Sequence, residues 1–233
     1  MASARVEGFT PKKCGFPFAN DFEEGPVLTL SVPLIGDIPV GNAAGGLCGG
    51  MVFAALDLFL RELPPPPGAT APKPGTPLFK YLARRLIDSF NGPAGVYKYL
   101  EWMRLPDEGH FFGLFKSIRW YTANSEWPAI RADLDGGRPC PLGLIKVESV
   151  NPLDVGDNHQ ILAYGYDLDE GSGQLTVHAY DPNEPGDDNV TLSVNLADPA
   201  NPSAISYSAD PAGRGFFRTP YTPADPTAAL SPG

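Results

Sequence analysis

Cys48 is the residue of this 233-residue chain best placed for covalent chemistry. It stands in a glycine-crowded turn, Gly41-Asn42-Ala43-Ala44-Gly45-Gly46-Leu47-Cys48-Gly49-Gly50, and the amphipathic run from Met51 to Leu60 follows at once. That pattern puts a thiol at the N-terminus of a helix. The positive end of the helix dipole favours the thiolate. The glycines let the backbone turn tightly and leave the sulfur uncovered. A thiol nucleophile needs a base, and the chain offers three histidines, His110, His159 and His178. Residues 159–166 and 174–181 read as the two strands of a hairpin. Pairing Tyr166 with Gln174 across a loop over 167–173 sets His159 opposite Asp181, with Cβ atoms about 4.5–5.5 Å apart. A carboxylate there holds the imidazole in one tautomer and supports its cationic form. His178 points to the other face and reads as a half-exposed strand residue. His110 sits in an aromatic stretch with no orienting group beside it.

The elements that must carry these groups follow from hydrophobic period and punctuation. A short strand is expected over 27–32, bounded by Pro26 and Pro33. The cysteine helix runs from about 48 to 62 and is stopped by Leu63-Pro64-Pro65-Pro66-Pro67-Gly68. Residues 64–77 hold seven prolines and form a stiff surface loop. Thr76-Pro77 opens a second helix that Asn91-Gly92 ends. A third is expected over 93–104, and a fourth over 125–135 with Ser125 as its N-cap. The pattern then turns to strands near 141–147, 160–166, 174–180 and 190–196, with an edge strand near 215–218. Helices first and antiparallel strands second predict an α+β fold in one domain over 1–233. Its helical half covers about 41–137 and its β half about 138–220.

Composition narrows the partners. A net charge of −10 argues against nucleic acid and anionic membrane surfaces. No apolar run is long enough to span a bilayer. The first residues, Met1-Ala2-Ser3-Ala4-Arg5-Val6-Glu7, lack the apolar core of a secretory signal. Three cysteines without a C-x-x-C pair make neither a disulfide framework nor a zinc site. A reducing, cytoplasmic setting fits best, although leaderless export stays compatible with the sequence. A Cys14–Cys140 bridge is the minor alternative. The acidic turn Asp167-Leu168-Asp169-Glu170-Gly171 lacks the closing glutamate of a calcium loop. No cofactor and no metal are expected.

The order Cys48, His159, Asp181 resembles the papain-like cysteine peptidase superfamily. Asn158-His159-Gln160-Ile161-Leu162-Ala163-Tyr164-Gly165-Tyr166-Asp167, followed by Val177-His178-Ala179-Tyr180-Asp181-Pro182-Asn183, is similar to the histidine strand and Asp-Pro turn of its double-glycine-peptidase-like branch. Residues 42–60 resemble the superfamily's oxyanion loop and cysteine helix. The resemblance implies a papain-like fold in which the nucleophile helix packs on the C-terminal sheet. It also implies thiol hydrolysis of a peptide or amide bond in a peptide or protein substrate. Asp181 takes the third triad position, with Asn183 as the fallback. Asn42 stands where the superfamily places an oxyanion-binding glutamine, one methylene longer. Gln160 stands where the branch usually has an aromatic residue. These two departures keep a second class of function in view, a catalytically silent scaffold for binding or assembly. A related acyl transferase or deamidase would use the same three groups.

Overall fold

The computed structural model describes residues 1–23, 28–41, 46–109 and 116–230. A strand β1 (Ala2–Arg5) and a one-turn helix α1 (Pro11–Cys14) precede a hairpin of β2 (Leu28–Val32) and β3 (Gly36–Gly41). Helices α2 (Cys48–Leu60), α3 (Pro77–Ser89) and α4 (Pro93–Met103) follow. A further helical stretch joins α5 (Ile118–Tyr121), a π-turn (Thr122–Glu126) and α6 (Trp127–Asp135). Strand β4 (Cys140–Ile145) leads through a 3-10 turn (Pro152–Asp157) to the long strand β5 (His159–Asp169). Strands β6 (Gln174–Tyr180), β7 (Thr191–Asn195), β8 (Ser206–Tyr207) and β9 (Gly215–Arg218) complete the main sheet, and a 3-10 turn spans Thr227–Leu230. The architecture is α+β, with an antiparallel sheet in the order β8-β7-β6-β5-β4-β9.

Helix α2 is buried along almost its whole length, from Gly49 to Leu58. One side packs on β5 and the other on α3. The approach to α3 is close enough that a Cβ on Gly50 would collide with the Leu82 carbonyl, so glycine is required there. Asp57 lies in the same buried helix with its side chain wholly covered, and so must be fully partnered. It pairs with Arg85 Nε of α3 at 2.8 Å. It also accepts from Tyr81 Oη (2.8 Å), Tyr221 Oη (2.6 Å) and the Ala224 N–H (2.8 Å). One carboxylate thereby ties α2 to α3 and to the C-terminal segment.

Local signals set the helix ends. Thr76 Oγ1 accepts from the Phe79 N–H at 3.3 Å, and Pro77 occupies the first helical turn of α3. Asn91 and Gly92 both have positive φ, which stops the chain from continuing as one helix into α4.

Three expectations need correction. Ser125 caps nothing, because the helical stretch already starts at Ile118, where Ser117 Oγ accepts from the Trp120 N–H at 3.1 Å. Ser125 falls inside the π-turn, which closes through the Trp127 N–H to the Thr122 carbonyl. Pro128 has no N–H to give the Asn124 carbonyl, so the ladder slips there by one residue. The sequence predicts no strand where β1, β3 and β8 lie; β1 pairs with β5, so the main sheet draws on the N-terminus as well as on 138–220. The hairpin loop is shorter than 167–173, since β5 runs on to Asp169, which pairs with Gln174. The expected pairing of Tyr166 with Gln174 is therefore wrong, and Tyr166 pairs with Val177.

Replacing Asp57 by alanine leaves Arg85 buried without its main counter-charge. It should lower unfolding stability by about 3–5 kcal/mol, read as a fall in the urea midpoint at unchanged slope.

Candidate active site

Cys48 is the first residue of α2, with Leu47 in the N-cap position. Its own N–H therefore has no partner within the helix. The turn before it is held from outside. Asn20 Oδ1 accepts from the Leu47 N–H at 2.5 Å, and Asn20 Nδ2 donates to Asn183 Oδ1 at 3.1 Å. Gly46 has φ of +91° and packs directly on the Asn20 side chain, so both its conformation and its lack of a Cβ are needed. Asn20 thus joins the turn before Cys48 to the turn that carries Asp181. Sequence reading missed it, because a lone asparagine in a loop has no periodicity or motif.

His159 is the first residue of β5, and Asn158 decides where that strand begins. Asn158 Oδ1 accepts from the Lys146 N–H at 3.0 Å, and its Nδ2 donates to the carbonyls of Asp154 (3.3 Å) and Val155 (3.2 Å). Asp181 follows β6 directly and opens a turn in which the Glu184 N–H reaches the Asp181 carbonyl at 3.0 Å. Pro182 supplies the fixed φ such a turn needs, and Asp181 Oδ1 also accepts from the Asn183 N–H at 2.8 Å. The carboxylate is thereby aimed by its own turn.

The structure brings His159 and Asp181 together: Nε2 lies 2.7 Å from Oδ1, with both side chains buried. They meet by a different route from the one expected. From Asp169↔Gln174 up to Gly165↔His178 the strands keep one register, and between Ala163 and Gly165 it shifts at a bulge. Beyond the bulge Leu162 faces Tyr180, so continuing the ladder sets Asp181 opposite Ile161, two residues from His159. A two-residue offset keeps both side chains on one face as diagonal neighbours. Without the extra residue at Tyr164 the offset would be odd and the two would point to opposite faces. At the same point β5 changes its neighbour from β4, paired as far as Ala163, to β1, paired from Gly165.

Cys48 and His159 line one small cavity of about 20 Å³ together with Gln160, Tyr99, Phe90 and Gly156. Nε2 of the imidazole is committed to Asp181, which leaves Nδ1 for the sulfur. Burial disfavours a charged imidazole, yet the electrostatic attraction of Cys48 and the hydrogen bonds with Asp181 and with the sulfur outweigh it. The His159 pKa is pushed up from 6.5 to about 10. Burial also opposes the Asp181 carboxylate, but the hydrogen bonds from His159, Tyr207 and the Asn183 N–H keep its pKa below the ordinary value. The second oxygen, Oδ2, accepts from the Tyr207 hydroxyl.

Gln160 has a structural role. It is buried beneath the first turn of α2, and its Nε2 donates to Ser89 Oγ of α3 at 2.9 Å. A Cβ on Gly49 would strike both side chains, so the glycine after the cysteine seats the thiol turn on this pair.

The other candidates fall elsewhere. His178 Nε2 lies 2.9 Å from Asp167 Oδ2 on the outer face, where Arg5 of β1 also reaches Asp167 at 2.7 Å. Asn42 and His110 lie outside the described residues. All three cysteines are free, with Cys14 and Cys140 buried and Cys48 partly exposed, so the Cys14–Cys140 bridge does not form. Burial pushes the Cys140 thiol far up. Among the described residues no group of three or more His, Cys, Asp or Glu could hold a metal, and no helix is long and apolar enough to cross a membrane. Comparison with family models, curated proteins and solved structures yields no significant match to this chain.

The raised His159 pKa gives a signed pH dependence. NMR titration of the imidazole should show His159 cationic through neutral pH, losing its proton as pH climbs toward about 10. In Cys48→Ala the titration should fall markedly, because burial is then opposed by Asp181 alone.

Proposed function

We propose that this protein is a thiol hydrolase acting on an amide or ester bond of a peptide or protein, with Cys48 as nucleophile, His159 as acid and base, and Asp181 as the orienting carboxylate. The observation that carries this reading is the meeting of three groups from distant parts of the chain: a partly exposed thiol at a helix start, and a buried imidazole held at 2.7 Å by a buried carboxylate. Packing alone asks for none of these. A buried His–Asp pair costs desolvation, and it is useful when the imidazole must keep one tautomer while exchanging a proton.

The reaction follows from the positions. The Cys48 sulfur attacks the carbonyl carbon and forms a tetrahedral centre. The developing oxyanion takes the Cys48 N–H at the helix start, and on the resemblance to papain-like peptidases Asn42 supplies a side-chain donor. The bond to the leaving amine or alcohol breaks as His159 gives that group its Nδ1 proton, leaving a thioester on Cys48. Water then attacks the thioester, His159 takes its proton, and the thiolate departs. Asp181 stays ionised and holds Nε2 throughout. The thiol helix packed on an antiparallel sheet that presents the histidine supports a papain-like reading of the fold.

Iodoacetamide labelling with mapping of the modified residue tests the first step. Cys48 should react before Cys14 and Cys140 and stay reactive below pH 7, and His159→Ala should slow it by about 100-fold or more. Slow labelling of Cys48 with a midpoint near an ordinary thiol pKa of about 8.5, unchanged in His159→Ala, would favour the silent scaffold. Peptide and ester probes offered with and without an amine acceptor separate hydrolysis from transfer, and Cys48→Ala should abolish both.

A further inference from the structure

We propose that Tyr207 is a positioning residue of this site, acting through Asp181 on His159. The inference rests on the functional reading above and adds a fourth side chain to it. Asp181 has two oxygens in an almost dry environment, its exposure being 1%. Oδ1 is occupied by His159 Nε2 and the Asn183 N–H. Oδ2 takes the Tyr207 hydroxyl, itself buried. A carboxylate bonded at one oxygen only could turn about its terminal torsion, which is broad and weakly restrained. With the phenol on Oδ2 the plane of the carboxylate is set, and Oδ1 faces the imidazole.

The protein invests structure in presenting this phenol. Tyr207 belongs to β8, a two-residue edge strand, where it faces Leu192 and follows the Ser193↔Ser206 pair. The Ser208 N–H reaches the Thr191 carbonyl at 3.0 Å, and Ser208 Oγ accepts from the Thr191 N–H at 2.9 Å. Asp210, three residues beyond Tyr207, is tied to Lys146 at 2.6 Å. The strand is thus fastened on both sides of the tyrosine, to β7 and to the end of β4. Burial and the neighbouring Asp181 carboxylate both push the phenol pKa up, so Tyr207 keeps its proton and remains a donor across the working range.

The charged groups around the pair are few. His159 faces Cys48 from α2 and Asp181 from the end of β6, and its charge also reaches Asp210. Asp181 faces His159 and Tyr207, with Glu184 and Asp210 near the phenol. Removing the phenol hydrogen bond takes away one of the contacts that hold Asp181 ionised against burial. The carboxylate should then protonate at higher pH, and His159 should lose its orientation as that happens.

The test is Tyr207→Phe, which keeps the ring and deletes the hydroxyl, with Ser206→Ala on the same strand as control. Cys48 alkylation by iodoacetamide is followed from pH 4 to 10, alongside thermal unfolding. Tyr207→Phe should slow alkylation at neutral pH about tenfold and move the acid limb of the profile upward by at least half a unit. Ser206→Ala should match the wild type. On a substrate found by the probes above, kcat should fall with KM little changed. A Tyr207→Phe profile that overlays the wild type, or one slowed without any shift of the acid limb, overturns the positioning role and leaves the thiol hydrolase intact. A wild-type protein whose Cys48 shows no selective reactivity overturns both.

Discussion

A buried carboxylate tolerates no unanswered oxygen, and Asp181 lies at the centre of this site for that reason. Its two oxygens take an imidazole, a backbone N–H and a phenol from three separate places in the fold. Each of those donors has its own support: the start of β5 for His159, the Asp-Pro turn for the N–H of Asn183, and the edge strand β8 for Tyr207. If any one were withdrawn, the carboxylate would be left partly desolvated without compensation, which is costly in a low-dielectric interior. The same low dielectric strengthens the attraction between an imidazolium and its neighbours, and so explains how a buried histidine comes to favour its proton.

The Cys48 turn has a different kind of support, built on the absence of side chains. Gly46 bends onto Asn20, Gly49 sits over Ser89 and Gln160, and Gly50 touches the backbone of α3. Three glycines around one cysteine let a helix start be pressed into the protein while Cys48 stays partly exposed. Asp57, further along the same helix, locks it to α3 and the C-terminal segment. The position of the thiol relative to the sheet is thus held at both ends of one buried helix.

Much of the frame could be read from residue order. Pro77 after Thr76, Asn91 before Gly92, and the alternation of Leu175, Val177 and Ala179 each follow from backbone or side-chain preferences acting over a few residues. The α+β layout and the extents of α2, α3, β6 and β9 follow from such signals. Strands β1 and β8 were illegible because Ala2–Arg5 and Ser206–Tyr207 lack an apolar signal such as Phe216-Phe217 of β9, and they form only where a longer strand offers a partner. The π-turn at Thr122–Glu126 escaped notice because its cause, Pro128, reads as an ordinary first-turn proline.

Residue order alone makes the reacting groups available: a thiol at a glycine-lined helix start, and a histidine and an aspartate flanking one hairpin. Those are properties of composition and short-range spacing. That His159 and Asp181 share a face is a matter of tertiary packing, because the extra residue at Tyr164 reverses, relative to β6, the side to which the preceding β5 side chains point, and no local preference marks it. Tertiary packing also decided that Asn20 and Tyr207 belong to the site, since both reach it across the chain, by contacts that have no sequence period.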